Sequence, residues 1–216
     1  MERINLVDLD FNSFSPDEKR LSFITMDIVM KNLHKHNKTI LSFNPQDIYY
    51  DKDTTLFVFD KIADFTPYIA DSKEKAFSEN VVGLSTLAFC SYLKTYDPKD
   101  GLLNNTVIAK EFSKFTDIFN PDDVDYYKNV LVDSYEAKTM PEPLYYSDAI
   151  IKKEQERKAG GNSNGKLLSY ATAAGKATAK QYENPEAAFS SQFFLACMVA
   201  CIVMASIGFI VYFLNI

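Results

Sequence analysis

The feature that most constrains this chain is a long run without a single charge near its C-terminal end. Residues 193–214 read FFLACMVACIVMASIGFIVYFL, 22 residues. As a helix at 1.5 Å per residue the run measures ~33 Å, which matches a hydrocarbon core of about 30 Å. Twelve of its residues are Leu, Ile, Val or Phe, each favouring insertion by roughly 0.3–0.6 kcal/mol. A buried core helix is the competing reading, but no polar stripe interrupts the run and the chain stops two residues later. The expectation is one C-terminal transmembrane helix over 193–214, with the lipid bilayer as its surroundings.

Orientation follows from the charges around that run. The start, MERINLVDLD, lacks the basic stretch and apolar core of a secretory signal. Lys152, Lys153, Arg157, Lys158, Lys166, Lys176 and Lys180 all precede the run, and only Asn215 and Ile216 follow it. The positive-inside rule therefore places the N-terminal part in the cytoplasm, giving a single-pass, tail-anchored membrane protein. Residues 152–180 carry seven Lys/Arg against two Glu, and Glu183 and Glu186 add two negative charges. The total of −6 thus leaves about −9 on residues 1–150. An acidic domain followed by a basic juxtamembrane segment argues against nucleic acid and suits anionic lipid headgroups. Cys197 and Cys201 lie in the apolar run and Cys90 stands alone, so no disulfide framework is implied.

These features divide the chain into a cytosolic domain over 1–149, a basic linker over 150–192 and the membrane helix. The linker combines a charged helical stretch at 150–158, a helix-breaking GGNSNG at 160–165 and a small, polar remainder. Residues 159–190 read as flexible or partly helical. Gly160, Gly165 and Lys166 nearly satisfy a phosphate-binding loop. Leu167 stands where a Mg²⁺-ligating Ser or Thr is required, and a charged helix precedes where a strand belongs.

The domain has 17 Phe and 13 Tyr available for a core within a chain that is 47% hydrophobic. It reads as mainly α with one small β-hairpin. INLVDLDF (4–11) fits a short strand. Ser15-Pro16-Asp17-Glu18 fits a helix start, with Ser as N-cap and Pro in the first turn. Leu21, Ile24, Ile28 and Leu33 then recur near one face. Apolar runs at 48–50 and 55–59 flank Asp51-Lys52-Asp53, a hairpin pattern. Further helices are expected over 80–96 and over 119–137, the second with Asn120 as N-cap before Pro121.

The order of helix, ILSFNPQDIYYD turn, hairpin ending in Phe59-Asp60 and apolar helix resembles a protein-kinase C-lobe. In that resemblance Pro45 matches the catalytic-loop proline, Asp47 the metal-binding Asn and Asp60 the Asp of D-F-G. Val81-Val82-Gly83-Leu84 would begin the helix that anchors the lobe. The departures imply a pseudokinase. Ile40, Leu41 and Ser42 replace the His-Arg-Asp triplet, Lys61 and Ile62 replace the Phe and Gly after Asp60, and no N-lobe precedes the first helix. A carboxylate at position 42 would take the substrate proton, a role worth about 10²–10⁴-fold that Ser cannot supply. Asp47 and Asp60 remain as vestigial cofactor-binding candidates, with solvated turn carboxylates as the plainer reading. The architecture resembles the cytoplasmic half of the EssB/YukC family, pseudokinase-bearing components of type VII secretion machines. That resemblance implies a non-enzymatic docking platform for other membrane or cytosolic proteins.

Other chemistry finds little support. His34 and His36 sit two apart at a helix end beside Lys35 and Lys38, which reads as a solvated pair with no neighbouring Cys. Asp122, Asp123 and Asp125 read as acids favouring a helix N-terminus. Neither a metal nor another cofactor is expected. Within the apolar run, Cys197, Cys201 and Ala205 repeat every four residues, with Ala196 and Ala200 alongside. That small face suits helix–helix association in lipid and a homodimer, with the general frequency of small residues in membrane helices as the plainer reading. Two functions remain open: a membrane scaffold or adaptor, in a secretion apparatus among other settings, or a tail-anchored eukaryotic or viral protein of trafficking or membrane assembly.

Overall fold

The computed structural model describes residues 3–9, 13–54, 56–93, 96–114, 116–138, 142–159 and 166–182. The chain divides into two units, 1–178 and 179–216, and of the second only 179–182 is described.

The first unit is built on two 20-residue helices, α1 (Pro16–Lys35) and α2 (Lys73–Tyr92). Local chemistry starts α1 where expected. The Ser15 hydroxyl accepts from the Glu18 amide while the Glu18 carboxylate accepts from the Ser15 amide, a reciprocal capping box. Phe23, Met26, Val29, Met30 and Leu33 of α1 are fully buried. Asn37 adopts a left-handed φ of 57° and turns the chain out of α1. In α2 the core side is Val81, Leu84, Leu87, Ala88 and Phe89. This helix begins two turns before the expected position 80, because the Ser72 hydroxyl caps it through the Lys75 amide.

Between the two helices lie four short strands, β2 (Lys38–Ile40), β3 (Ile48–Asp51), β4 (Leu56–Phe59) and β5 (Ile62–Asp64). The expected hairpin is β3–β4, with Asp51 Oδ1 accepting from the Asp53 and Thr54 amides to close its turn. The mainly-α-plus-hairpin reading does not hold. β1 (Arg3–Asn5) adds to β3, making a three-stranded antiparallel sheet in the order β1-β3-β4. β2 pairs with β5 in a second, two-stranded sheet, Thr39 opposite Ala63. The fold is mixed α/β. Three-residue strands are too short to display an alternating pattern, which is why the second sheet left no trace in the periodicity.

The remainder of the unit is helical. α3 (Asn105–Glu111) is capped by Asn104, whose side chain accepts from the Thr106 amide. α4 (Pro121–Lys128) runs through a π-helical turn at 129–133 into α5 (Ser134–Ala137). α6 (Tyr146–Ala159) straddles residue 150 and packs on α1 and α4. Phe89, Phe112, Phe119 and Tyr127 form a stacked and tilted aromatic core with centroids 4.7–6.2 Å apart. Such pairs contribute about 0.5–1.5 kcal/mol each beyond the area they bury. α7 (Lys166–Tyr182) is a regular helix within the stretch expected to be a linker.

The transmembrane part of the fold expectation is not met among the described residues, where no helix is long and apolar enough to cross a membrane. Residues 193–214 lie outside the described residues, and with them Ala196, Cys197, Ala200, Cys201 and Ala205. The GGNSNG stretch at 160–165 also lies outside them, and Lys166 opens α7.

Candidate functional site

Asp47 and Asp60 meet at one corner of the fold. A tight 3-10 turn at Pro45–Asp47 leads into β3, and Asp60 follows β4 directly. Antiparallel pairing of β3 with β4 brings them side by side, and the Asp60 amide donates to the Asp47 carbonyl at 2.8 Å. Their side chains differ in surroundings. Asp60 is exposed. The Asp47 carboxylate is only 14% exposed and is held on both oxygens. Oδ2 accepts from the Ser42 hydroxyl at 2.5 Å and Oδ1 pairs with Lys61 Nζ at 3.1 Å. The Ser42 hydrogen bond, and after it Lys61, holds this carboxyl below the usual carboxylate range, against the opposing effect of burial. A carboxylate so lowered is a poorer proton acceptor than a free one.

The corner is fastened to α2 at two positions one turn apart. Asn80 lies buried beneath the end of β2. Its amide accepts from the Ile40 amide and donates to the Ile40 carbonyl, both at 2.8 Å. Three residues on, Gly83 lets Phe43 lie flat on the helix. A Cβ at position 83 would stand 2.4 Å from Phe43 Cδ2. Phe43 then meets Phe59 edge-on, so loop 41–44 is held from above and below. Ser42 lies between Ile40, bonded to Asn80, and Phe43, packed on Gly83 and Phe59.

His34 belongs to this support, contrary to the solvated reading of the His34/His36 pair. It is 4% exposed and stacked on Phe77 with centroids 4.0 Å apart. Asn80 Oδ1 can only accept, so His34 Nε2 carries the proton and donates to it at 2.9 Å. Nδ1 then accepts from the Tyr145 hydroxyl at 2.8 Å. The ring is neutral: burial pushes its pKa down to about 4, outweighing the hydrogen bond with Asn80. Both ring nitrogens are committed to structure, which leaves His34 no role as a general base.

A second polar constellation joins α1 to α4 and α6. Arg20 donates twice to Asp123, at 2.9 Å from both Nε and Nη2, in a buried fork. The Tyr146 hydroxyl donates to the same carboxylate at 2.8 Å. Asp123 does sit in the first turn of α4, as an acid favouring the helix N-terminus should, but its partner is a distant arginine. Asp27, fully buried, accepts from the Tyr146 and Ser147 amides at 3.1 and 2.9 Å. A carboxylate from α1 thereby caps α6. Burial raises its pKa to about 6, outweighing a hydrogen bond with the Ser147 side chain as well as these two amide bonds. The one signal for it in the sequence is an acid amid the apolar residues of ITMDIVM.

No protein-family profile, curated protein sequence or solved structure matches the chain. Function must therefore be read from the site. Among the described residues no group of three or more His, Cys, Asp or Glu side chains is arranged to hold a metal ion. A cavity of about 360 Å³ lies on the other side of Gly83, lined by Val82, Val130, Leu131 and Tyr135 and edged by Lys75 and Lys138. The Ser42–Asp47–Lys61 corner offers a neutralised carboxylate beside the exposed Asp60. That arrangement can present a surface, but it holds no poised base.

Proposed function

We propose that the chain is a non-catalytic scaffold that holds a degenerate kinase-C-lobe-like domain at the cytoplasmic face of a membrane. The observation that carries the reading is Asp47, tied by Ser42 and Lys61 at the place where phosphotransfer would need a cation ligand. The succession α1, β2, the 45–47 turn, β3–β4, β5 and α2 supports the kinase-like comparison. The uncharged run 193–214 and the basic residues before it support the membrane attachment. On the resemblance to the EssB/YukC family, the domain serves as a docking platform within a secretion machine.

The full chain in detergent should show neither phosphotransfer nor a thermal shift with ATP and Mg²⁺. A Mg²⁺-ATP-dependent shift lost in Asp60→Ala would overturn the non-catalytic reading. Topology has its own test. Asn37-Lys38-Thr39 and Asn104-Asn105-Thr106 are glycosylation sequons, and Asn37 and Asn104 are both exposed. Expression in a eukaryotic cell should give an unglycosylated protein that resists carbonate extraction, and sugar on either Asn would reverse the orientation.

A further inference from the structure

The segment read as a flexible or partly helical linker contains α7, a 17-residue helix with two unlike faces. Ala171 and Thr178, two turns apart, are buried, and Ala174 and Gly175 between them are half-buried. Ser169, Thr172, Ala173, Lys176 and Ala177 are exposed on the opposite arc. At 100° per residue, positions 166 and 180 fall within about 80° of position 176 on that same arc. All three are lysines, and α7 contains no acidic residue. The ten residues between α7 and the apolar run carry only the charges of Glu183 and Glu186, so the positive charge nearest the run is that of α7.

We propose that the Lys176 face of α7 lies against an anionic lipid surface. This rests on the membrane reading above and names the element and the lipid class. Charge complementarity selects the occupant. The α7 helix brings three positive charges, while residues 1–150 carry about −9 and are repelled by the same surface. Ten residues can span up to about 35 Å, ample to let α7 reach the headgroups and lie along them. Lysines count only within about a Debye length, ~8 Å at physiological salt, so the contact must be close. Each lysine there is worth about fivefold in local binding, so three together give on the order of a hundredfold. The small residues of the other arc stay against protein, and the lysine face is left for the membrane.

The test is lysine footprinting of the full chain in nanodiscs of phosphatidylcholine, alone or with one third phosphatidylserine. Lys176 should be acylated at least severalfold more slowly in the anionic discs. The difference should vanish at high salt, and the exposed Lys99 of the acidic domain should react equally in both. Equal labelling of Lys176 in the two discs overturns the proposal. A K166Q/K176Q/K180Q variant should remain in the discs, held by the apolar run. Failure of the unaltered chain to enter discs of either composition would refute the membrane reading itself, a separate and distinguishable outcome.

Discussion

The seam between α1 and α6 and the corner around Asp47 each turn on a hydrogen-bonded aspartate, yet their protonation shifts in opposite directions. Asp27 is held by the Ser147 side chain and two backbone amides, and burial dominates, lifting its pKa to about 6. Asp47 faces a hydroxyl and an ammonium, and these dominate, lowering it. The difference teaches what each aspartate is for. A carboxylate whose ionised form is disfavoured at its own site is retained for geometry, here to cap a helix that starts 119 residues along the chain. A carboxylate neutralised by side chains at the surface fixes a local shape and little else. Core architecture depends on the first and surface identity on the second.

The largest effect should come from the seam. Arg20 and Asp123 are nearly inaccessible, at 8% and 2% side-chain exposure. Removing one partner leaves a buried charge uncompensated, which typically costs about 3–5 kcal/mol. Arg20→Ala and Asp123→Ala should each destabilise by that amount in urea unfolding. The double variant should cost less than the sum, since the second removal takes away the orphan left by the first. Additive losses would mean the two groups do not depend on each other. Tyr146 shares the carboxylate, so Tyr146→Phe should cost a smaller step of about 1 kcal/mol.

Next comes the pH response. Asp27 has a raised folded pKa, so its contribution is fully present below pH ~4 and is lost as pH rises through about 6. His34 has a lowered folded pKa, so its contribution is present above pH 6.5 and is lost as pH falls through about 4. Each swing amounts to roughly 3 kcal/mol at most, and across pH 4–6 they oppose one another. Wild-type stability should therefore be nearly flat over that range. Asp27→Asn should lose stability steadily on acidification, and His34→Gln should gain it. Parallel profiles for the two variants would contradict the opposed shifts.

The third effect is steric and lies where the corner meets α2. Ala normally stabilises a helix interior relative to Gly by about 0.5–1 kcal/mol. At position 83 the added Cβ would enter the Phe43 ring, and overpacking of this kind costs about 1–3 kcal/mol. Gly83→Ala should thus destabilise, and should become neutral or stabilising once Phe43→Ala has removed the ring. A stabilising Gly83→Ala in the wild-type background would show that Phe43 does not pack there.

What was legible in the sequence is what short-range chemistry decides. The α1 start could be read because the cap and its partner, Ser15 and Glu18, are three residues apart. The β3–β4 hairpin could be read because its turn signals sit between two apolar runs. The Asn80 bridge to Ile40 spans 40 residues and has no local signature. The same distance problem hid His34, whose partners Asn80 and Tyr145 come from two other elements. Next to Lys35 and His36 it looked like part of a solvated helix end. For the candidate site, Asp47 and Asp60 were identified from their order along the chain, but not the Lys61 partner that neutralises Asp47.

The smallest expected effect is the one that tests the corner directly. Ser42 holds Asp47 Oδ2 and also accepts from the Asn44 amide at 3.3 Å, so it links the carboxylate to the turn. Ser42→Ala removes the hydroxyl that holds the Asp47 pKa down and leaves Lys61 in place. Carboxyl titration by NMR should then find Asp47 closer to an ordinary aspartate, while stability changes by about 1 kcal/mol or less. Lys61→Met should also raise the Asp47 pKa, since Lys61 lowers it both by its hydrogen bond and by its charge. Asp27, whose pKa neither Ser42 nor Lys61 shifts, should keep its titration. If Asp47 titrates the same with and without Ser42, the hydroxyl does not govern the carboxylate. The corner would then be an ordinary exposed turn, and the contrast with the buried seam would rest on burial alone.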